Sequence, residues 1–407
     1  MSRLVESIVP ARMGPGFRWL LASSWVSNLA DGVALSAGPL LVASQTRDPI
    51  LVAAAAVLGR LPWLLFGLYA GVLTDRHDRR RIVILANLAR VVVLAVLVAT
   101  IATDVVNVGI VLGALFLLGT AETFVDTTTG TLLPMVVDTT DLGVGNARLM
   151  FGFLTLNQLT GPPIGAALFA LGMVWPFATQ AVCVGFSAVL VARIALAQVP
   201  PAEAHGPVRR EIAEGVRWLW GHPPVRTLTL TVVTFNVTFG AAWSVLVLYA
   251  IERLGMGDVG FGLLMTASAI GGVAGTASYG WLERNVGLAN IMRGGLIIET
   301  CTHLTLAITR TPAVALAVFV VFGVHEAAWG TTATTIRQRA VPAEFQGRVG
   351  SVYMSGVFGG LVVGSVVGGV AARVWGVTGP FWFAFVGSAL ILVAIWRQLG
   401  HIAHTEG

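Results

Sequence analysis

About twelve apolar runs, each of roughly twenty residues or more, follow one another along this chain, and each can cross a ~30 Å hydrocarbon layer as a helix. In lipid no water is present to bond the backbone, so a spanning segment must satisfy its own N–H and C=O groups, which a helix does within one segment. The expected limits are 17–44, 50–73, 82–102, 108–130, 147–171, 176–198, 226–250, 260–282, 289–309, 312–336, 348–373 and 377–399. Composition agrees, because 56% of the 407 residues are apolar and 11% charged, too little polar surface to cover a soluble globule. The expected fold class is an all-α membrane protein with twelve transmembrane helices.

All 25 basic residues are arginine. With the N-terminus inside, nineteen arginines fall on the cytoplasmic side and four, Arg47, Arg253, Arg310 and Arg373, on the other, while Arg60 and Arg90 lie inside spans. Positive charge held inside therefore predicts cytoplasmic N- and C-termini. The first span follows Arg3 and Arg12, exceeds the length of a signal-peptide core and lacks a small-residue cleavage site, so it is expected to stay in the mature chain. The arginines form no aromatic-interleaved patch, and no nucleic-acid partner is expected. Cys183 and Cys301 sit in the middle of spans in different halves and read as apolar packing.

The chain is duplicated. Gly119-x-x-Glu122-x(4)-Thr127-Thr128-x-x-Thr131 returns as Gly323-x-x-Glu326-x(4)-Thr331-Thr332-x-x-Thr335, and Asn28 and Gly71-x-Leu73 find echoes in Asn236 and Gly280-x-Leu282. Parallel repeats of six helices follow, at 1–198 and 226–407, and a carboxylate at matching depth in each half points toward ion-coupled transport. The proline-rich segment 199–225 joins them as a cytoplasmic linker. Within it Ile212, Val216, Leu219 and Trp220 share a helical face, with Arg209, Arg210 and Arg217 available to headgroups, which predicts an amphipathic helix on the inner membrane surface. A plain tether and a regulatory element are equally compatible with it.

A central ionisable side chain costs at least ~2.5 to 3.5 kcal/mol, so each needs a partner, a cavity or a neutral form. Glu122 and Asp126 are i, i+4 on one face, and two carboxylates that close in low dielectric do not both ionise, which makes the pair a candidate proton site. Glu326 is the mate of Glu122, next to His325, with Gly330 in place of the second acid. Asp31 shares a stripe with Ser24 and Asn28 and is expected to pair with Arg60, as a proton-sensitive or a static bridge. Arg90 is expected to snorkel to the inner face. Glu299 and His303 are i, i+4 in the ninth span, and their role stays open; His303 has too little company for a metal site. Trp25, Trp243 and Trp329, with Asn28 and Asn236, are candidates to line an apolar substrate cavity, core packing being the competing role for each.

Between the second and third spans, GVLTDRHDRRR resembles the signature loop of the major facilitator superfamily, matched at Gly71, Leu73, Asp75, Arg76, Arg79 and Arg80. Thr74 stands where Ala is usual and Asp78 where Gly is common. Asn157-x(3)-Gly161-Pro162-x-x-Gly165-Ala166 resembles that superfamily's antiporter motif, with Asn and Ala at its first and last positions. AETFVDTTTGTLLP, EGVRWLWGHPPVR and VPAEFQGRV are similar to bacterial drug, macrolide and enterobactin-type exporters. The resemblance implies two six-helix bundles, a cavity lined by spans 1, 4, 7 and 10, and a conformational latch at Gly71, Asp75, Arg76 and Arg79. It further implies export of an amphiphilic drug-, macrolide- or siderophore-like molecule in exchange for protons, by a monomer without cofactor or metal in a bacterial plasma membrane. A metabolite symporter or facilitator, and a non-transporting receptor or scaffold, remain the alternatives. No lysine exists for a Walker motif and no GxSxG turn is present, so neither ATP-driven pumping nor an enzyme is expected.

Overall fold

The computed structural model describes residues 13–195, 208–342 and 345–399, without the side chains of Asp75, Thr139, Val208, Arg209 and Glu211. Among them every regular element is helical. The long elements are α1 (Gly14–Gln45), α2 (Pro49–Arg76), α3 (Arg79–Ala102), α4 (Val108–Thr129) and α5, which runs through Leu142–Gly152, the π-helical Phe153–Thr160 and Gly161–Leu171. They continue with α6 (Val174–Ala192), α7 (Val208–Gly221), α8 (Pro223–Trp243), α9 (Asp258–Asn285), α10 (Leu288–Ile308), α11 (Pro312–Ala340), α12 (Gln346–Trp375) and α13 (Gly379–Ile395). Nine of the described helices, namely α1 to α4, α6, α8, α9, α11 and α12, are long and apolar enough to cross a membrane, and α13 is a shorter apolar helix. The expected spans 147–171 and 289–309 correspond to α5, divided by its π-helical stretch, and α10, whose Arg293, Glu299 and His303 dilute its apolar character.

Local chemistry explains several ends. Proline opens α8, α11 and α13, where its missing N–H costs nothing and its fixed φ suits the first turn. Asn107 caps α4 by accepting from the Ile110 N–H at 3.1 Å. Asp78, the departure from the signature loop, caps α3 by accepting from the Arg81 N–H at 3.2 Å and faces the Arg81 guanidinium at 3.5 Å. Its charge thus serves the helix start. Asp78→Ala is expected to lower stability by about 1 kcal/mol, read as a reduced melting temperature of the detergent-purified protein. An unchanged melt removes the cap from any stabilising role.

Two compact units emerge, one of residues 1–45 and 65–204, the other of 46–64 and 205–407. The sequence reading placed the whole second span in the first half, whereas residues 46–64 group with the second unit. Packing supplies the reason: Trp63 stacks on Phe358 with centroids 5.2 Å apart, and Ala53 clusters with Val245 and Ala372.

In the first unit α1 packs against α5 and α6, and α3 against α4 and α6, around Phe17, Leu20, Leu21, Val83, Val125 and Leu133. In the second, α9 lies along α11, α8 along α12, and α10 against α11 and α13. The α9–α11 approach depends on glycine, since a Cβ on Gly323 would overlap the Ser268 carbonyl and one on Gly271 the Val320 carbonyl.

The linker helix α7 belongs to the second unit and leaves most of the stripe expected to face the membrane outward. Of Ile212, Val216, Leu219 and Trp220 only Leu219 is buried, beside Val225, Val341 and Val349, while Val216 and Trp220 are 42% and 58% exposed. Gly215 lets α7 touch the Arg348 backbone, and Glu214 accepts from Arg210 at 3.1 Å and pairs with Arg348 at 3.0 Å. The small residue and the acid direct the docking, and the bulkier apolar stripe is left outward.

Candidate functional site

The first unit holds a charge cluster built by α1, α3 and α4. On α3 the buried positions Val83, Asn87, Arg90, Leu94 and Leu97 recur at helical spacing, which turns Arg90 inward. Its Nη2 donates to Asp31 Oδ1 and its Nη1 to Asn87 Oδ1 at 3.4 Å. Ser27 Oγ donates to the other Asp31 oxygen at 3.3 Å. The Arg90 side chain is 1% exposed. Two expectations are thereby corrected: Asp31 pairs with Arg90, not Arg60, and Arg90 does not snorkel. Arg60 lies in the segment that groups with the second unit, and no carboxylate pairs with it among the described residues.

Glu122 and Asp126 on α4 lie within electrostatic range of Arg90 and Asp31. Neither makes a hydrogen bond to the protein among the described residues, and Asp126 is exposed. One guanidinium therefore faces three carboxylates. It balances one of them, and the remaining negative charge calls for protons or a cationic ligand.

The second unit departs from the repeat at the carboxylate. Glu326 on α11 is exposed, and the buried acid is Glu299 of α10, 7% exposed. Its Oε2 lies 3.5 Å from His325 Nε2 and its Oε1 3.8 Å from His303 Nε2. The sequence signal was three titratable residues, Glu299 and His303 on α10 and His325 on α11, whose meeting only the packing of the two helices reveals. The repeated threonines include one interhelical partner per copy: Thr128 Oγ1 bonds Thr74 Oγ1 at 2.8 Å, and Thr332 Oγ1 donates to Tyr279 Oη at 3.3 Å. Thr74 thus explains the loop's other departure.

Around that loop Gly71 has open space beside it and Arg76 is exposed. Arg79 donates to the Thr131 carbonyl at 3.4 Å, tying the loop to the end of α4, and Arg80 to the Ile194 carbonyl at 2.9 Å, after α6. The Asp75 side chain lies outside the described residues.

In α5, Pro162 and Pro163 lack the N–H groups that would bond the Gln158 and Leu159 carbonyls, and the preceding turns are π-helical, with Gly161 N–H donating to Leu156. Asn157, in that stretch, is buried and accepts from Gln158 at 2.6 Å. A Cβ on Gly161 would lie 2.5 Å from Gly32 Cα, one on Gly165 would lie 2.6 Å from Ser36 Oγ, and Ser36 donates to the Pro162 carbonyl at 2.7 Å. This motif is where α5 meets α1.

The candidate cavity residues divide. Asn28 and Asn236 each donate to the carbonyl four residues earlier, at 2.8 Å, as repeat mates. Trp25 donates to the Arg148 carbonyl at 3.2 Å and packs on Phe151. Trp243 stacks on Phe239 with centroids 4.4 Å apart and meets Phe322 and Phe319. Trp329 lies against Gly295, with its indole N–H buried and unbonded. Among the described residues no group of three or more His, Cys, Asp or Glu could hold a metal ion.

Comparison with known proteins matches this architecture. The multidrug efflux pump Tap of Mycolicibacterium fortuitum is 25% identical over 376 residues, covering 89% of this chain and 90% of that protein. A variant of the nucleoside transporter NupG superposes with a TM-score of 0.78 at 11% identity, over 94% of this chain and 99% of the other. A bacterial homologue of the iron transporter ferroportin, in an inward-facing state, gives 0.74 at 17% identity, over 98% and 100%. At these identities the two structures speak for the fold alone. The model of the transmembrane secretion effector family matches residues 7–406, and the chain belongs to that family of major facilitator transporters.

Proposed function

We propose that the chain is a proton-driven exporter of an amphiphilic drug-, macrolide- or siderophore-like molecule, working by alternating access in a bacterial plasma membrane. Twelve spans in two six-helix bundles, with both termini cytoplasmic, complete the reading. The observation that carries it is the surplus of carboxylates around Arg90: Asp31 is satisfied by the guanidinium, and Glu122 and Asp126 are left to protons or to a cationic substrate. Competition between the two at one cluster is what exchange requires, because loading one releases the other. An entering proton gains ~2.3 kcal/mol per 100 mV, enough to drive accumulation with one or two protons per cycle. The similarity to an efflux pump and the antiporter-like motif favour export over uptake. Asp75, Arg76 and Arg79 act in this reading as the latch that biases the two closed states, and Glu326 is a second, exposed acid.

Proteoliposomes carrying the purified protein, with a dye substrate and an imposed pH gradient, test the reading. Gradient-driven dye flux is expected, and the Glu122→Gln/Asp126→Asn double variant is expected to lower it by at least about tenfold, equivalent to ~1.4 kcal/mol, with dye binding changed far less. Dye flux that ignores the gradient makes the protein a facilitator, and full gradient-driven flux in the double variant removes both acids from coupling.

A further inference from the structure

The second unit contains a buried acid between two imidazoles that the exchange cluster does not use. We propose that Glu299, His303 and His325 form a separate proton-binding site, one proton being held between the carboxylate and the imidazole nitrogens that face it.

Burial is the first ground. His303 is 0% exposed, and both of its ring nitrogens are buried without a hydrogen-bond partner, as is Nδ1 of His325. A neutral imidazole has one donor and one acceptor to satisfy, and an ionised Glu299 beside two neutral rings would be an uncompensated charge in a dry interior. One added proton converts the trio to a neutral-sum pair. At 3.5 and 3.8 Å the two nitrogens stand beyond a good hydrogen bond yet within ion-pair range of separate carboxylate oxygens, so a small side-chain shift brings either into contact.

Among the described residues no arginine pairs with Glu299. α13 has no titratable residue between Gly379 and Ile395. α11 supplies His325 and Glu326, while its Arg337 and Arg339 are engaged with Tyr353 and Glu283. On α9 Tyr279 accepts from Thr332 and Glu283 pairs with Arg339; the helix also carries Asp258 and Arg284 at its ends. From the α8 side Trp243 turns an edge to His303, and Arg226 donates to the Trp220 carbonyl. Tyr249 and Arg253 donate to carbonyls at the end of α10, beside Glu252, and Arg293 on α10 itself stacks on Trp396. The groups that face the Glu299 carboxylate are the His303 and His325 rings, with Glu326 next to His325 in sequence. Glu326, one residue from His325 on α11, is exposed.

The test uses full-length protein in detergent, labelled with nitrogen-15 in histidine, without substrate or gradient. Imidazole signals and the infrared band of a protonated carboxyl are followed between about pH 5.5 and 8.5, the range in which histidine titrates. His303→Asn and His325→Asn assign the rings. One proton is expected within the trio, as an imidazolium or a carboxylic acid, and Glu299→Gln is expected to lose it, both rings remaining neutral throughout. Neutral rings and no carboxyl band in the wild type overturn the proposal, as does a Glu299→Gln protein that matches the wild type. If that variant does not fold, the spectra are read in a Glu122→Gln/Asp126→Asn background, where the exchange cluster's two acids contribute no carboxyl band, and neutral rings without such a band there overturn the proposal. Occupancy is read in the absence of transport, so this result and the exchange reading stand or fall separately.

Discussion

Arg90→Leu is expected to destabilise the protein by about 3–5 kcal/mol, the usual cost of removing one partner from a buried ion pair and stranding the other. Asp31 would lose its charged donor, Asn87 would lose the Nη1 contact, and Glu122 and Asp126 would lose the one cation that acts on them among the described residues. The measurement is thermal unfolding of the detergent-purified variant, with folded yield from the membrane as a second reading. Asp31→Asn in the same chain removes the stranded charge and is expected to recover a large part of the loss, as coupling between contacting sites predicts. Arg60→Gln serves as the contrast, because the alternative pairing would make it the damaging change. If Arg60→Gln costs more than Arg90→Leu, or if Asp31→Asn recovers nothing, the Asp31–Arg90 pair is not what holds this cluster.

That pair also shows where sequence reading stops. Helical spans and the duplication are visible because lipid demands long apolar runs and because repeats keep their spacing. The positions of α1, α4, α8 and α11 follow directly from that. Which face of a span turns inward is harder: Arg90 lies on the Val83, Asn87, Leu94 stripe, but in so apolar a span the stripe has almost no contrast with its surroundings, so snorkelling is the expectation there. Partner choice is harder still, since Arg60 and Arg90 both lie inside spans and only tertiary packing groups residues 46–64 elsewhere. The same limit applied to Glu299, where apolar flanks hid that α10 is covered by both α11 and α13. By contrast, the departures at Thr74 and Asp78 were visible as departures, and their meaning lay in a hydroxyl across on α4 and in the start of α3. Trp25 and Trp243 were visible as deep aromatics, and their partners, a carbonyl of α5 and a stack of phenylalanines, were not.

The α1–α5 contact yields the other large effect. Gly161→Val places a branched side chain where even a Cβ would lie 2.5 Å from Gly32 Cα and 2.6 Å from the Leu156 carbonyl, so backbone, not a movable side chain, must give way. Separating the helices stretches the 2.7 Å bond from Ser36 to Pro162 and opens the packing of Gly165 on Ser36. Overpacking of this kind costs about 1–3 kcal/mol, and the strained hydrogen bond adds about 1. The loss is expected both as a lower melting temperature and as a flux defect, because α5 can no longer seat on α1. Gly143, in the first turns of the same α5, has nothing within 4 Å of its missing Cβ. There Gly143→Ala meets no neighbour and restricts the unfolded chain, so a gain of up to about 1 kcal/mol is expected. Opposite signs from two glycines of one helix separate close approach from helix propensity. A Gly161→Val protein that melts with the wild type shows that α5 does not need glycine to meet α1, and the motif then loses its steric explanation.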